Sequence, residues 1–159
     1  MKLDPIHHIQ LAFANDFTVE KNGYLHCKTT PFYIFAQAYE GHYELSAGNR
    51  SAVCEEGGAF FAPPDVPLRI WHYVNPKTGR MRVRFLHFMI SDGIGFDPFS
   101  SRILPLAVSA ADSKTPARLI QQMLRPQPPF RTESLVLETV SRLYALTEEN
   151  KDSRNIPEW

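Results

Sequence analysis

The sequence predicts a mainly β fold, a small antiparallel barrel of the jelly-roll kind followed by two α-helices. Three observations predict it. Short apolar runs recur through the first ninety residues, each bounded by glycine, proline or asparagine, which is the pattern of a sandwich or barrel. The segment Glu55-Glu56-Gly57-Gly58-Ala59-Phe60-Phe61-Ala62-Pro63-Pro64-Asp65-Val66-Pro67 reads as a polar glycine turn, a short strand and a proline stop. Glycine permits the positive φ of a tight turn, and proline removes ladder donors, so the strand ends at a loop or sheet edge. Beyond Thr115 the apolar residues recur at helical spacing instead.

In chain order, Phe32–Tyr39 is aromatic and almost continuously apolar, as a strand covered on both faces should be. Gly41 ends it. Tyr43–Leu45, a turn at Ala47-Gly48-Asn49, Ser51–Cys54 and Ala59–Ala62 follow. Leu68–Val74 alternates, with Leu68, Ile70 and His72 on one face and Arg69, Trp71 and Tyr73 on the other. Asn75–Gly79 is a turn by its chemistry, and Arg82–Phe88 is the last strand of the barrel. Asp92–Pro105 is irregular. Thr115-Pro116 has the form of a helix start, a threonine cap with proline at the first helical position. Thr132 is the expected cap of a longer helix, from about Glu133 to Asn150, with Val136, Val140, Leu143 and Leu146 in one stripe and Leu135, Leu137 and Tyr144 widening it. Glu138 and Arg142 form an i, i+4 pair on its outer face.

The whole, residues 1–159, is expected to be a single domain: barrel about 5–92, helical part about 112–150, linker 151–159. Lysine plus arginine equals aspartate plus glutamate, 17 against 17, which offers no clustered basic footprint for nucleic acid. Cys27 and Cys54 follow no metal or disulfide spacing. No apolar run approaches the ~18 residues of a membrane span, and the N-terminus lacks a signal-peptide core. The expectation is a cytoplasmic protein with no membrane partner.

A double-stranded barrel raises the question of a metal. Such chemistry needs three or four histidine and carboxylate ligands converging from neighbouring strands, with one position open. His7 and His8 are adjacent and point to opposite sides of a strand. His42-Tyr43-Glu44 has Gly48 and Asn49 where a further carboxylate is wanted, and Leu68 follows the proline turn. No metal, catalytic residue or cofactor is expected. No G-x-S-x-G elbow, P-loop or dinucleotide fingerprint occurs.

The strand ending Tyr39-Glu40-Gly41, then Gly48, then Gly57-Gly58-Ala59-Phe60-Phe61-Ala62-Pro63-Pro64, Trp71–Pro76 and Arg84-Phe85-Leu86-His87-Phe88 form a pattern. With the two trailing helices, it resembles the N-terminal cupin-like effector-binding and dimerisation domain of AraC-type bacterial transcription regulators. Gly57-Gly58 stands where that family usually has glycine-aspartate, and Leu68 where it commonly has histidine. The resemblance implies a cupin-like double-stranded β-helix with a small-molecule effector inside the barrel. It also implies that DNA is bound only through a C-terminal domain absent from this chain.

Carried over by position, the resemblance places Thr29, Thr30, Leu68, Ile70, His72, Val83, Phe85 and His87 against the ligand. Phe85 can equally be barrel filling, and His72 and His87 can equally be core histidines with protein partners. The resemblance also implies a homodimer through the C-terminal helices, and the cost of exposing one aliphatic stripe puts Val136, Val140, Leu143 and Leu146 at an antiparallel interface on the longer helix. The other classes the sequence leaves open are a metal-dependent cupin isomerase or oxygenase, and a carbohydrate-binding or scaffold barrel.

Overall fold

The computed structural model of the chain describes residues 7–152. The strands are β1 (His7–Val19), β2 (Tyr24–Lys28), β3 (Tyr33–Glu40), β4 (His42–Ala47), β5 (Arg50–Cys54), β6 (Ala59–Ala62), β7 (Leu68–Tyr73) and β8 (Met81–Asp92). Two short strands, β9 (Arg102–Ile103) and β10 (Ala107–Val108), lead into α1 (Ala110–Met123) and α2 (Arg131–Ala145), and β11 (Glu148–Glu149) follows. One sheet runs β1-β8-β3-β6-β10 and the other β2-β7-β4-β5. The pairing is nested and antiparallel: β3 with β8, β4 with β7, and the Glu55–Gly58 turn carrying the chain from β5 in one sheet to β6 in the other. This is the expected mainly β, cupin-like double-stranded β-helix with two C-terminal helices.

The period-2 alternation of the central strands divides the apolar residues between two cores. From β3, Ile34, Ala36 and Ala38 face the barrel interior, while Tyr33 and Phe35 face the helices. From β6, Phe60 and Ala62 go inward and Ala59 and Phe61 outward; β8 contributes Met81 and Val83 inward and Leu86, Phe88 and Ile90 outward. β3 is therefore apolar apart from Gln37 and Glu40 because the barrel covers one face and the helices the other. The turn before β6 requires its glycines. Gly57 has φ +83°, and a Cβ on Gly58 would stand 2.8 Å from the Val108 carbonyl oxygen.

Three expectations about the helices need correction. α1 begins at Ala110, not at Thr115-Pro116: the Ser109 hydroxyl accepts from the Asp112 N–H at 3.1 Å, and the Glu55 carboxylate accepts from the Ala110 N–H at 2.8 Å. Pro116 lies buried inside the helix. α2 begins at Arg131, so Thr132 sits in its first turn; the N-cap is Phe130, at φ +67° and with no side-chain cap bond. α2 also stops at Ala145 rather than near Asn150. Arg102 donates to the Thr147 hydroxyl at 2.8 Å and to its carbonyl oxygen at 2.7 Å, and Glu148–Glu149 then pair with Arg102–Ile103 as an unexpected strand. A tertiary partner, not local propensity, ends this helix. The surface pair Glu138–Arg142 forms as expected, at 3.7 Å.

The dimer stripe is likewise corrected. Val136, Val140 and Leu143 are buried in the chain's own outer core with Leu119, Ile120 and Phe88, and Leu146 is half-buried against it. Side chains already covered within one chain cannot also cover a second copy. Residues 1–6 and 153–159, including the start of the expected barrel range and most of the linker, lie outside the described residues.

Leu143 has no exposed surface. Its truncation to alanine should destabilise the fold by roughly 2–5 kcal/mol, read from the urea midpoint, and Leu143→Glu should unfold the isolated chain. A Leu143→Glu protein of wild-type stability would contradict this burial.

Candidate functional site

The barrel interior is not completely filled. A cavity of about 410 Å³ lies between the two sheets, within the range of small-molecule sites. It reaches the side where both sheets end: β1 supplies Phe17 and Val19, and β2 supplies Tyr24, His26 and Lys28. These two strands are edges of different sheets, each paired to only one neighbour. The opposite wall is built by Ile34 and Ala36 of β3, Tyr43 of β4, Phe60 of β6, Ile70 and His72 of β7, and Phe85 and His87 of β8.

The walls are held by rings. Tyr43 meets Phe60 edge-on at 5.0 Å and His72 at 5.1 Å. Phe85 lies 4.8 Å from His87 and 5.9 Å from Phe17. Phe13, partly exposed on β1, meets His87 at 4.4 Å and Phe32 at 5.6 Å. Four of these six contacts are edge-to-face, an arrangement worth ~0.5–1.5 kcal/mol per pair beyond area burial.

Its polar groups are few. His72 is buried, and its Nδ1 lies 3.1 Å from the Tyr24 carbonyl oxygen. A carbonyl only accepts, so Nδ1 donates, and in the neutral ring Nε2 remains an acceptor. Burial holds the His72 pKa below the usual histidine range. His87 is 9% exposed and its Nδ1 has no hydrogen-bond partner. Burial, then the positive charge of Lys28, lowers its pKa to about 4. The same two causes lower His26. Lys28 is half-buried, and burial lowers its own pKa. No carboxylate lines the cavity, and the ion pairs among the described residues, Arg80–Glu40 and Arg142–Glu138, do not involve Lys28.

Of the eight residues carried over by position, Ile70, His72, Phe85 and His87 line the cavity together. The other four do not. Leu68 and Val83 point inward but are packed into the closed part of the barrel core. Thr29 is exposed, and Thr30 turns its hydroxyl back to the Phe32 backbone N–H at 3.3 Å. Sequence reasoning missed Phe17, Tyr24, His26, Lys28 and Tyr43. The available signal was the alternation Tyr24-x-His26-x-Lys28, which puts three polar-tipped side chains on one face of a strand. Among the described residues, no three histidine, cysteine or carboxylate side chains come together in a group that could hold a metal. The two thiols have opposite settings: Cys27 is exposed, and Cys54 is buried with its pKa pushed up to about 12.

A second concavity of about 360 Å³ lies on the helix side, lined by His7, Ile90, Phe99, Leu137 and Tyr144 among others. Neither buried unpartnered polar atom of the described residues, Gln37 Oε1 or His87 Nδ1, belongs to its lining. The barrel cavity, lined by the buried His72 and His87, is the candidate site.

No protein-family model matches the chain, and no curated protein matches it. Solved structures do. One from Ralstonia eutropha JMP134, assigned as a mannose-6-phosphate isomerase, is 14% identical with a TM-score of 0.39, over 54% of this chain and 84% of that one. A single-site mutant of Bacillus subtilis oxalate decarboxylase is 13% identical with a TM-score of 0.37, over 99% of this chain but 41% of that one.

Folded His87 titrates near about 4, while an unfolded histidine titrates near ~6.5. Between these values the unfolded chain takes up a proton that the folded chain refuses, so the stability is present above about 6.5 and lost as the pH falls toward 4. His26 and His72 act in the same direction. His87→Phe should therefore lose less stability than wild type between pH 7 and pH 4.5, measured by urea unfolding. The acid-sensitive carboxylates Glu40, Glu56 and Asp92 are common to both proteins and cancel in the comparison. Equal losses would show that His87 is not held neutral.

Proposed function

We propose that this chain is the ligand-sensing domain of an AraC-type transcription regulator, holding a small effector inside the barrel and passing its presence to a DNA-binding domain not present here. The observation that carries the reading is the cavity between the sheets. It is aromatic and open at the β1 and β2 edges, and its lining includes the two buried histidines His72 and His87. A purely structural barrel of this size fills its interior with side chains. A cavity with a few convergent polar groups is the ordinary form of a small-molecule site. The metal-dependent enzyme reading needs a ligand cluster, and among the described residues no three histidine, cysteine or carboxylate side chains form one.

The homodimer belongs to the same proposal. With the stripe of Val136, Val140 and Leu143 buried, α2 can serve a second copy only through what it leaves exposed. Leu137 and Tyr144, 43% and 37% exposed, stand seven residues apart on that side.

The effector reading is tested by filling the cavity. Ala36 lines it and is 3% exposed. Screened by thermal shift against small metabolites, the wild type should be stabilised by at least one class of compound, by about 2.7 kcal/mol at a hundredfold excess over Kd. Ala36→Phe should fold and lose that response. A response retained in Ala36→Phe would place the ligand elsewhere. The regulator reading is tested separately, by sequencing the reading frame beyond Trp159: two helix-turn-helix units there support it, and an unrelated domain ends it. For the dimer, Leu137→Lys should shift the sedimentation of the chain from dimer to monomer, and a monomeric wild type at tens of micromolar would end that part.

A further inference from the structure

Resting on the reading of the barrel cavity as a small-molecule site, we infer that its ligand is a monocarboxylate with an aromatic or apolar body, the carboxylate meeting Lys28 and His87 and the body lying among the cavity rings. Two independent observations lead to this class. Lys28 lines the cavity with no acidic partner there. His87 lines the same cavity, is 9% exposed, and has an Nδ1 bonded to nothing.

The charge of the cavity selects among anions and neutral compounds. Its titratable lining groups are Lys28, His26, His72, His87, Tyr24 and Tyr43, and none is a carboxylate. The depressed pKa values of the three histidines leave them neutral at pH 7. Lys28 therefore brings the single fixed charge. Lys28 also acts electrostatically on His26, His72 and His87, so its ammonium sits within range of all three. A neutral ligand would cover an already half-buried cation without pairing it, which is costly. A dianion such as a phosphate ester would carry one charge more than the site can match among apolar walls. A monocarboxylate balances the charge, and its second oxygen can accept from a neutral imidazole N–H. Phe17, Phe85, Phe60 and Ile70 then provide the apolar surface for the body.

The experiment uses 2-naphthoate and its neutral isostere 2-naphthamide, measured by calorimetry and by NMR shifts of cavity residues. Wild type should bind the acid about tenfold or more tightly than the amide, since one charge-assisted contact distinguishes them. Lys28→Met should reduce the acid to the level of the amide and leave the amide unchanged, and Lys28→Arg should keep the preference. In wild type alone, the acid affinity should weaken with salt while the amide affinity does not, which needs no variant to fold. If both compounds move the Phe85 and His87 signals but bind equally, or if the preference survives Lys28→Met, the carboxylate assignment is overturned and the cavity reading stands. If neither moves those signals at millimolar concentration, the cavity reading fails and this inference with it.

Discussion

Strand β8 is the constraint on which the rest depends. It pairs with β1 on one side and β3 on the other along most of its length. Its alternate residues belong to different compartments: Met81, Val83, Phe85 and His87 face the barrel, while Leu86, Phe88 and Ile90 face the helices. A one-residue slip would exchange the two sets. His87 would leave the cavity for the platform on which α1 and α2 rest, and Leu86 and Phe88 would enter the cavity in its place. The double burial of β3 follows from the same register, as does the position of β1 at the edge of the cavity.

The outer core explains why the helices exist in the form they do. Leu119 and Ile120 of α1 and Leu135, Val136, Val140 and Leu143 of α2 bury their surface on Phe35, Phe61 and Phe88. The two helix starts differ, since α1 has the local cap of Ser109 and α2 has no side-chain cap. α1 also draws on Glu55 from the barrel turn for its first N–H, and α2 begins from a left-handed Phe130. Packing of an amphipathic face outweighs such a local deficit, since most helical stability in proteins comes from that face. The turn that carries the chain between the sheets thus also positions the first helix.

The inner compartment behaves differently because it is left partly unfilled. Ala36, Ala38, Ala47 and Ala62 supply small side chains to the interior, and the rings of Tyr43, Phe60 and Phe85 line the walls that remain. Space of that kind is costly unless something occupies it, because the lining atoms lose contacts on one side. The unpartnered nitrogen of His87 and the unpaired charge of Lys28 add to that cost, and both sit in the same place. Costs concentrated at one cavity fit the effector site proposed above.

Much of this was legible in the chain itself. The strands from β3 to β8, the Gly57-Gly58 turn, the inward face of β7 and the Glu138–Arg142 pair all follow from local chemistry and period-2 or period-3.6 spacing, which a sequence displays directly, whereas sequence reasoning missed the long edge strand β1. Two classes of feature do not. The first is a boundary set by a distant partner, as where Arg102 bonds Thr147 and Glu148–Glu149 pair with Arg102–Ile103 beyond the end of α2. The second is the difference between packed and open interior. Leu68, Ile70, Val83 and Phe85 are equivalent in alternation, yet Leu68 and Val83 close the core while Ile70 and Phe85 line the cavity. An apolar stripe on a helix is equally silent about which surface covers it, and here the chain's own barrel covers Val136, Val140 and Leu143. Alternation determined which way each side chain of this protein points. Only the crossing of the two sheets decided how far away the opposite wall stands, because that distance is set by residues far apart in the chain.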